Sequence, residues 1–193
     1  SFATGGLGGK QVGAPVDALA SQGALALTDD GRAVVAVNAG SDSVSLLRIG
    51  DDELRLRSVV PSRGAFPSSV AVHGALAFVL NAGGDGSVAG FRIRGDHLVA
   101  IPGSRRTLGL GNDAVPFFLG SPSQVGVTPD GRTLVVATKS HNTLLSFPIR
   151  RDGTLGAEIT TASQGPVPFS FVFDRAGRLE VTQAGDGRTA TYA

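Results

Sequence analysis

The sequence has no cysteine, no methionine and no tryptophan, and a single tyrosine among its 193 residues. Without cysteine there is neither a disulfide framework nor a thiolate zinc site, although this leaves the compartment open. Without methionine, Ser1 is not a translation start; the expectation is that a signal peptide has been removed and is not present in this chain. Lysine is nearly missing too: Lys10 and Lys139 stand against 15 arginines. The formal net charge of +1 gives no reason to expect a nucleic acid or an anionic membrane as partner. No apolar run approaches the roughly 18 residues that suggest a membrane span. Apolar residues nowhere recur at i, i+3, i+4 and i+7 over a useful length, so no helix is expected.

Glycine is abundant, at 28 residues, and the hydrophobic share of 41% against 17% charged describes a globular chain. Many tight turns in an all-β chain account for the glycine. One stretch sets the pattern. Gln124 to Ala137 reads as strand, turn and strand, with Thr128-Pro129-Asp130-Gly131-Arg132 as the turn. Ala24 to Asn38 repeats it around Asp29-Asp30-Gly31-Arg32. A shortened copy runs from Val70 to Asn81, and a diverged one from Phe171 to Gln183. A hairpin repeated four times is the signature of a repeat fold.

Each copy continues alike. Ala33 to Val37 is continuously apolar, as a strand buried on both faces must be. Leu54 to Val60 begins by alternating leucine with arginine, as a half-exposed outer strand should. The second strands end at Asn38, Asn81, Thr138 and Gln183, at spacings of 43, 57 and 45 residues. The long interval holds an insertion over 107–120. Four strands in roughly 40–50 residues make a β-propeller blade. A β-sandwich has no reason to repeat turn residues in register. The expected fold is therefore all-β: about four four-stranded antiparallel blades forming one partial propeller domain over 1–193. Its parts are an orphan outer strand at 1–6, blades at 24–62, 68–108 and 122–163, and an incomplete blade at 168–193.

Several segments carry a family resemblance: Ser21-Gln22-Gly23-Ala24-Leu25, Val37-Asn38-Ala39-Gly40-Ser41, Val79-Leu80-Asn81-Ala82-Gly83, Pro122-Ser123-Gln124-Val125 and Gly165-Pro166-Val167-Pro168-Phe169. They resemble the seven-bladed lactonase-type propellers, the family of bacterial 6-phosphogluconolactonase and the fungal 3-carboxymuconate lactonising enzyme (cyclase), and within it the actinobacterial secreted branch. The resemblance implies an extracellular protein that hydrolyses or binds a small lactone or sugar acid, either as a lactonase, a carboxylic ester hydrolase, or as a lactonising isomerase. No cofactor is expected and no residue is assigned as a metal ligand. Members often carry histidines in a His-Pro-His type of motif where the innermost strand begins. The matching positions here read Pro67-Ser68-Ser69, Pro122-Ser123-Gln124 and Pro168-Phe169-Ser170, without histidine. A non-catalytic binding or scaffold propeller is therefore the competing expectation.

A half-ring should expose unpaired edges and apolar blade faces. Three completions are open: a separate chain, a second copy, or Ser1-Thr4 closing the fourth blade into a small four-bladed ring. The first two are preferred.

Opening a lactone needs a base to activate water and a donor to hold the carbonyl oxygen. Lys139, His141 and Asn142 sit together after a second strand, and Lys139 and His141 would share a face of an extended chain. Lys139 is the candidate carbonyl polariser and His141 the candidate base; a solvated hairpin turn is the alternative. Asn38 and Asn81 end equivalent strands, either to orient substrate with Asn142 or to bind their own loops. Ser123 and Gln124 begin an innermost strand and are expected to face the channel and bind substrate, Gln124 helping to orient it.

Overall fold

The computed structural model describes residues 2–193, and their secondary structure is strands, turns and two single 3₁₀ turns. The chain is an all-β partial propeller. Its first blade holds β1 (Leu25–Leu27), β2 (Ala33–Asn38), β3 (Ser43–Ile49) and β4 (Leu54–Pro61), antiparallel and in that order. The second holds β5 (Pro67–His73), β6 (Leu76–Asn81), β7 (Ser87–Arg94) and β8 (His97–Ala100); β9 (Arg106–Thr107) also pairs with β7. The third holds β10 (Gln124–Val127), β11 (Thr133–Ala137), β12 (Thr143–Pro148) and β13 (Ile159–Ala162). The fourth has β14 (Pro168–Phe173), β15 (Leu179–Gln183) and β16 (Arg188–Tyr192), with no fourth strand among the described residues.

The sequence repeat is a repeated turn. Thr28 Oγ1 donates to Asp30 Oδ1, which also accepts from Arg32 N; Thr128, Asp130 and Arg132 do the same one hundred residues later. Gly31 and Gly131 take the left-handed backbone that this turn needs, with φ of 68° and 71°. These bonds hold the Asp30 and Asp130 carboxyls below the usual carboxylate range, the threonine hydroxyl being the first cause.

Blades stack through apolar sheets of alternating facing. Val70, Val79 and Phe91 of the second blade pack on Val35, Val44 and Leu46 of the first. Phe78 and Leu80, on the other face, pack on Val125, Leu134 and Phe147 of the third. Phe171 and Val181 of the fourth pack on Val135 and Ala137. Gly126 leaves room for this last contact, since a Cβ there would stand 2.5 Å from the Phe171 ring.

The innermost strands are also bonded to one another. Val70 N donates to Gly23 O (2.8 Å), Val125 N to Ser69 Oγ (3.1 Å) and Phe171 N to Gln124 Oε1 (2.9 Å). Strand register makes Leu25 the equivalent of Val70, Val125 and Phe171, because each lies opposite the same position of its second strand. The three others are 3%, 3% and 4% exposed, but Leu25 is 64% exposed. Blade one thus presents a face shaped to receive a preceding blade.

The orphan strand expected over 1–6 falls partly on Ser1, which lies outside the described residues; residues 2–6 form no strand. Thr4 O instead accepts from Ser45 Oγ of β3 (2.6 Å), so this segment lies against blade one, while the sheet of blade four stops at β16.

Stability should follow that exposure. Phe171→Ala is expected to cost about 3–5 kcal/mol. Leu25→Ala in the isolated chain should stay within about 0.5 kcal/mol. Urea unfolding of the two variants measures both; similar losses would mean that blade one is covered in solution.

Candidate functional site

The turns after the second strands and the beginnings of the innermost strands gather at one end of the propeller. Two segments, residues 7–21 and 108–121, cross this loop end. They bond to each other, Val12 N to Pro116 O and Phe118 N to Val12 O, both at 3.0 Å. They are also tied to the blades: Gly40 N donates to Leu7 O, Gly84 N to Asp113 O and Ser140 N to Leu119 O.

Lys139 lies beneath this cover. It occupies the place held by Ala39, Ala82 and Ala184 in the other repeats, directly after the end of the second strand. Ala39 and Ala82 are buried, and so is Lys139, at 1% exposure. Its Nζ donates to Ala20 O and to Ser121 Oγ, both at 2.8 Å, and stands 5.9 Å from the centroid of the Phe169 ring. Ser121 Oγ in turn donates to Gln11 Oε1 at 2.7 Å, and Gln11 Nε2 is buried without a partner. No carboxylate forms an ion pair with the amine. Loss of hydration lowers the Lys139 amine to about 7, with Asp17 partly opposing the shift. A neutral amine has two N–H groups, which matches the two acceptors present.

The other sequence candidates are distributed differently. His141 is exposed on the outside of the same 3₁₀ turn, so it does not share a face with Lys139: the turn (Lys139–His141) replaces the extended geometry on which that pairing depended. Asn142 is exposed, has a φ of 53°, and accepts from Val167 N through Oδ1 (2.8 Å). Asp42 does the equivalent in blade one, accepting from Phe66 N (2.7 Å). Asn38 Nδ2 donates to Ser43 Oγ and Ser45 Oγ; Asn81 Nδ2 donates to Ser62 O and, at 3.5 Å, Ser87 Oγ. Both asparagines are buried; Asn38 holds its own hairpin, whereas Asn81 reaches back to the connection that precedes its blade, and its Oδ1 is left without a partner. Ser123 Oγ donates to Ala137 O and Pro168 O, and the Gln124 amide both donates to Phe171 O and accepts from Phe171 N. These two side chains join blades three and four and do not face an open channel.

The residues that sequence reasoning missed are Gln11, Ser121, Phe118 and Phe169. The first two sit in segments with no repeat partner. The lysine, by contrast, could have been read as buried from the alanines at its equivalent positions. Among the described residues, no cluster of three or more His, Cys, Asp or Glu side chains is arranged to hold a metal ion.

Residues 111–191 match the family described as lactonase, seven-bladed beta-propeller. That segment is similar to the lactonase-type propellers; for the chain as a whole, the solved structures show the fold. A Bacteroides uniformis protein, whose assignment as a 6-phosphogluconolactonase is itself provisional, superposes with a TM-score of 0.70 at 16% identity; the match covers 95% of this chain and 57% of that one. The Pseudomonas aeruginosa periplasmic gluconolactonase PpgL gives 0.62 at 20% identity, over 88% and 52%. Kuenenia stuttgartiensis hydrazine synthase gives 0.63 at 18%, over 95% and 53%. No curated protein matches the sequence. The chain spans slightly more than half the length of the structures it superposes on.

The buried amine makes a signed prediction. Between pH about 7 and 10.5 the unfolded chain holds the Lys139 proton and the folded chain does not. Stability therefore rises with pH across that window. In Lys139→Met this rise should vanish, so the variant's stability relative to the parent is highest below the window and falls through it. Urea unfolding of both proteins on either side of the window reads the difference, and a constant difference would refute the assignment.

Proposed function

We propose that this chain is part of a secreted, lactonase-like propeller that binds or hydrolyses a small lactone or sugar acid at the loop end, in a ring completed by a second chain or a second copy. The observation that carries the reading is the family match over residues 111–191, which takes in most of the insertion covering the loop end and Lys139 beneath it. The family description and the gluconolactonase name of one neighbour agree on lactone chemistry, and that neighbour's name also says periplasmic. Ring completion is supported by the bare first blade: Leu25 and Leu27 are exposed, and covering such a side chain is worth about 1.5–3 kcal/mol.

Lys139 is the candidate group for the lactone carbonyl. An amine lowered to about 7 is divided between its charged and neutral forms near neutrality, which suits a group that must donate to a developing oxyanion without a permanent counter-ion. Its present partners, Ala20 O and Ser121 Oγ, occupy the N–H groups that a carbonyl would need, so substrate contact requires the covering segments to shift. His141 is the candidate base, reached from outside the turn, with Asn38, Asn81, Ser123, Gln124 and Asn142 supporting the loops that shape the site.

A non-catalytic binding or scaffold propeller is the second reading. It is favoured by the engagement of Ser123 and Gln124 in blade-to-blade bonds and by the lack of histidine at the inner-strand starts.

The native mass and a lactone panel separate the two. The enzyme reading expects an assembly larger than one chain that turns over at least one lactone, with Lys139→Ala abolishing turnover. Loss in His141→Ala would make the exposed imidazole the base; full activity would leave that role to the completing blades. A monomer inert toward the whole panel would defeat both the ring and the enzyme.

A further inference from the structure

We propose that the ligand of the loop end is a lactone bearing an apolar substituent, which lies in the hollow framed by Val16, Phe118 and Phe169. The inference rests on the lactone reading above and narrows its substrate class. The hollow has a volume of about 210 Å³ and is lined by Pro15, Val16, Asp17, Ala20, Phe118 and Phe169. Its walls expose no polar surface. Asp17 contributes only its apolar part, because its carboxylate oxygens accept from Leu19 N (3.1 Å) and Ser21 N (3.0 Å).

The hydroxyls of a sugar acid would lose water there without gaining a partner, which disfavours them. An alkyl or aryl group loses nothing comparable, and apolar cavities of about 150 Å³ hold benzene. The same walls lead to the amine: Lys139 Nζ bonds the carbonyl oxygen of Ala20 and faces the ring of Phe169. A substituent in the hollow therefore lies against Ala20 and Phe169, the same two residues that the buried Lys139 amine contacts. The structure also shows how the hollow stays open, since Val16 at its rim is 96% exposed.

The test titrates the assembled protein with γ-nonalactone, gluconolactone and heptanol, following binding by calorimetry. Val16→Glu places a carboxylate at the rim; being on an exposed residue, it should leave the fold intact, which circular dichroism verifies. The expected result is that γ-nonalactone binds about tenfold or more tightly than gluconolactone, and that Val16→Glu weakens γ-nonalactone and heptanol by a similar factor. Equal or tighter binding of gluconolactone overturns the proposal. So does γ-nonalactone binding that Val16→Glu leaves unchanged. Heptanol contains no lactone and so separates the two claims. Heptanol binding that Val16→Glu weakens, with neither lactone turned over, supports the apolar hollow and counts against the lactonase reading alone.

Discussion

Everything in this arc depends on one hydrogen bond per blade interface. The amide of the fourth residue in each innermost segment points away from its own sheet and must find an acceptor on the preceding blade. Left buried and unpaired, such an amide costs about 1–3 kcal/mol. The acceptor changes chemically from interface to interface, being the carbonyl of Gly23, then the hydroxyl of Ser69, then the side-chain amide of Gln124. What repeats is the position of an oxygen. This explains why the repeat is strict in its turns and loose at its inner strands. It also explains why side chains that begin the inner strands are unavailable to a ligand in the channel.

That constraint moves the chemistry outward, to the loop end and its cover. Lys139 ties both halves of the cover to the third blade, reaching Ala20 in one covering segment and Ser121 in the other. A buried amine with two polar acceptors and no carboxylate contact is an expensive way to pin two loops, since desolvation opposes its charge. Alanine stands at the same place in the other repeats, where the turn meets the covering chain without a buried amine: Gly40 N with Leu7 O and Leu7 N with Ser41 Oγ, and Gly84 N with Asp113 O and Asn112 Nδ2 with Ala82 O. The lysine is therefore not required by the blade. It is a local departure from the repeat, and such departures are where function is to be sought.

The fold was legible because its signals are local and repeated. The Thr-x-Asp-Gly-Arg turn, the continuous apolar second strand and the alternating outer strand each have one physical cause within a few residues. The site was much less legible. Treating Lys139 and His141 as residues of an extended chain put them on one face, but Lys139 takes a φ of 50° and begins a 3₁₀ turn that sends them apart. Asn38 bonds within its own hairpin, while Asn81 reaches Ser62 across the connection between two blades, a contact that no local pattern signals. Gln11, Ser121, Phe118 and Phe169 were invisible because the contacts that place them at the amine join segments 18 or more residues apart and have no repeat to betray them. Gln11 and Ser121, for instance, are 110 residues apart in sequence.

The two ends of the arc are not equivalent, and this decides what can complete it. Blade one offers Leu25 and Leu27, apolar and exposed, together with an inner-strand amide that has no preceding blade against it. Blade four offers Ser170, whose hydroxyl occupies the acceptor position filled by Ser69 and Gln124 in earlier blades, beside Thr182, Glu180 and the exposed Val172. Two first blades packed face to face would bury leucine against leucine, but would give neither Leu25 amide an acceptor. A blade with an oxygen at the position of Ser170 satisfies both demands at once. For the ring proposed above, the surface of blade one thus fits a propeller blade carrying such an oxygen better than it fits a second copy of itself.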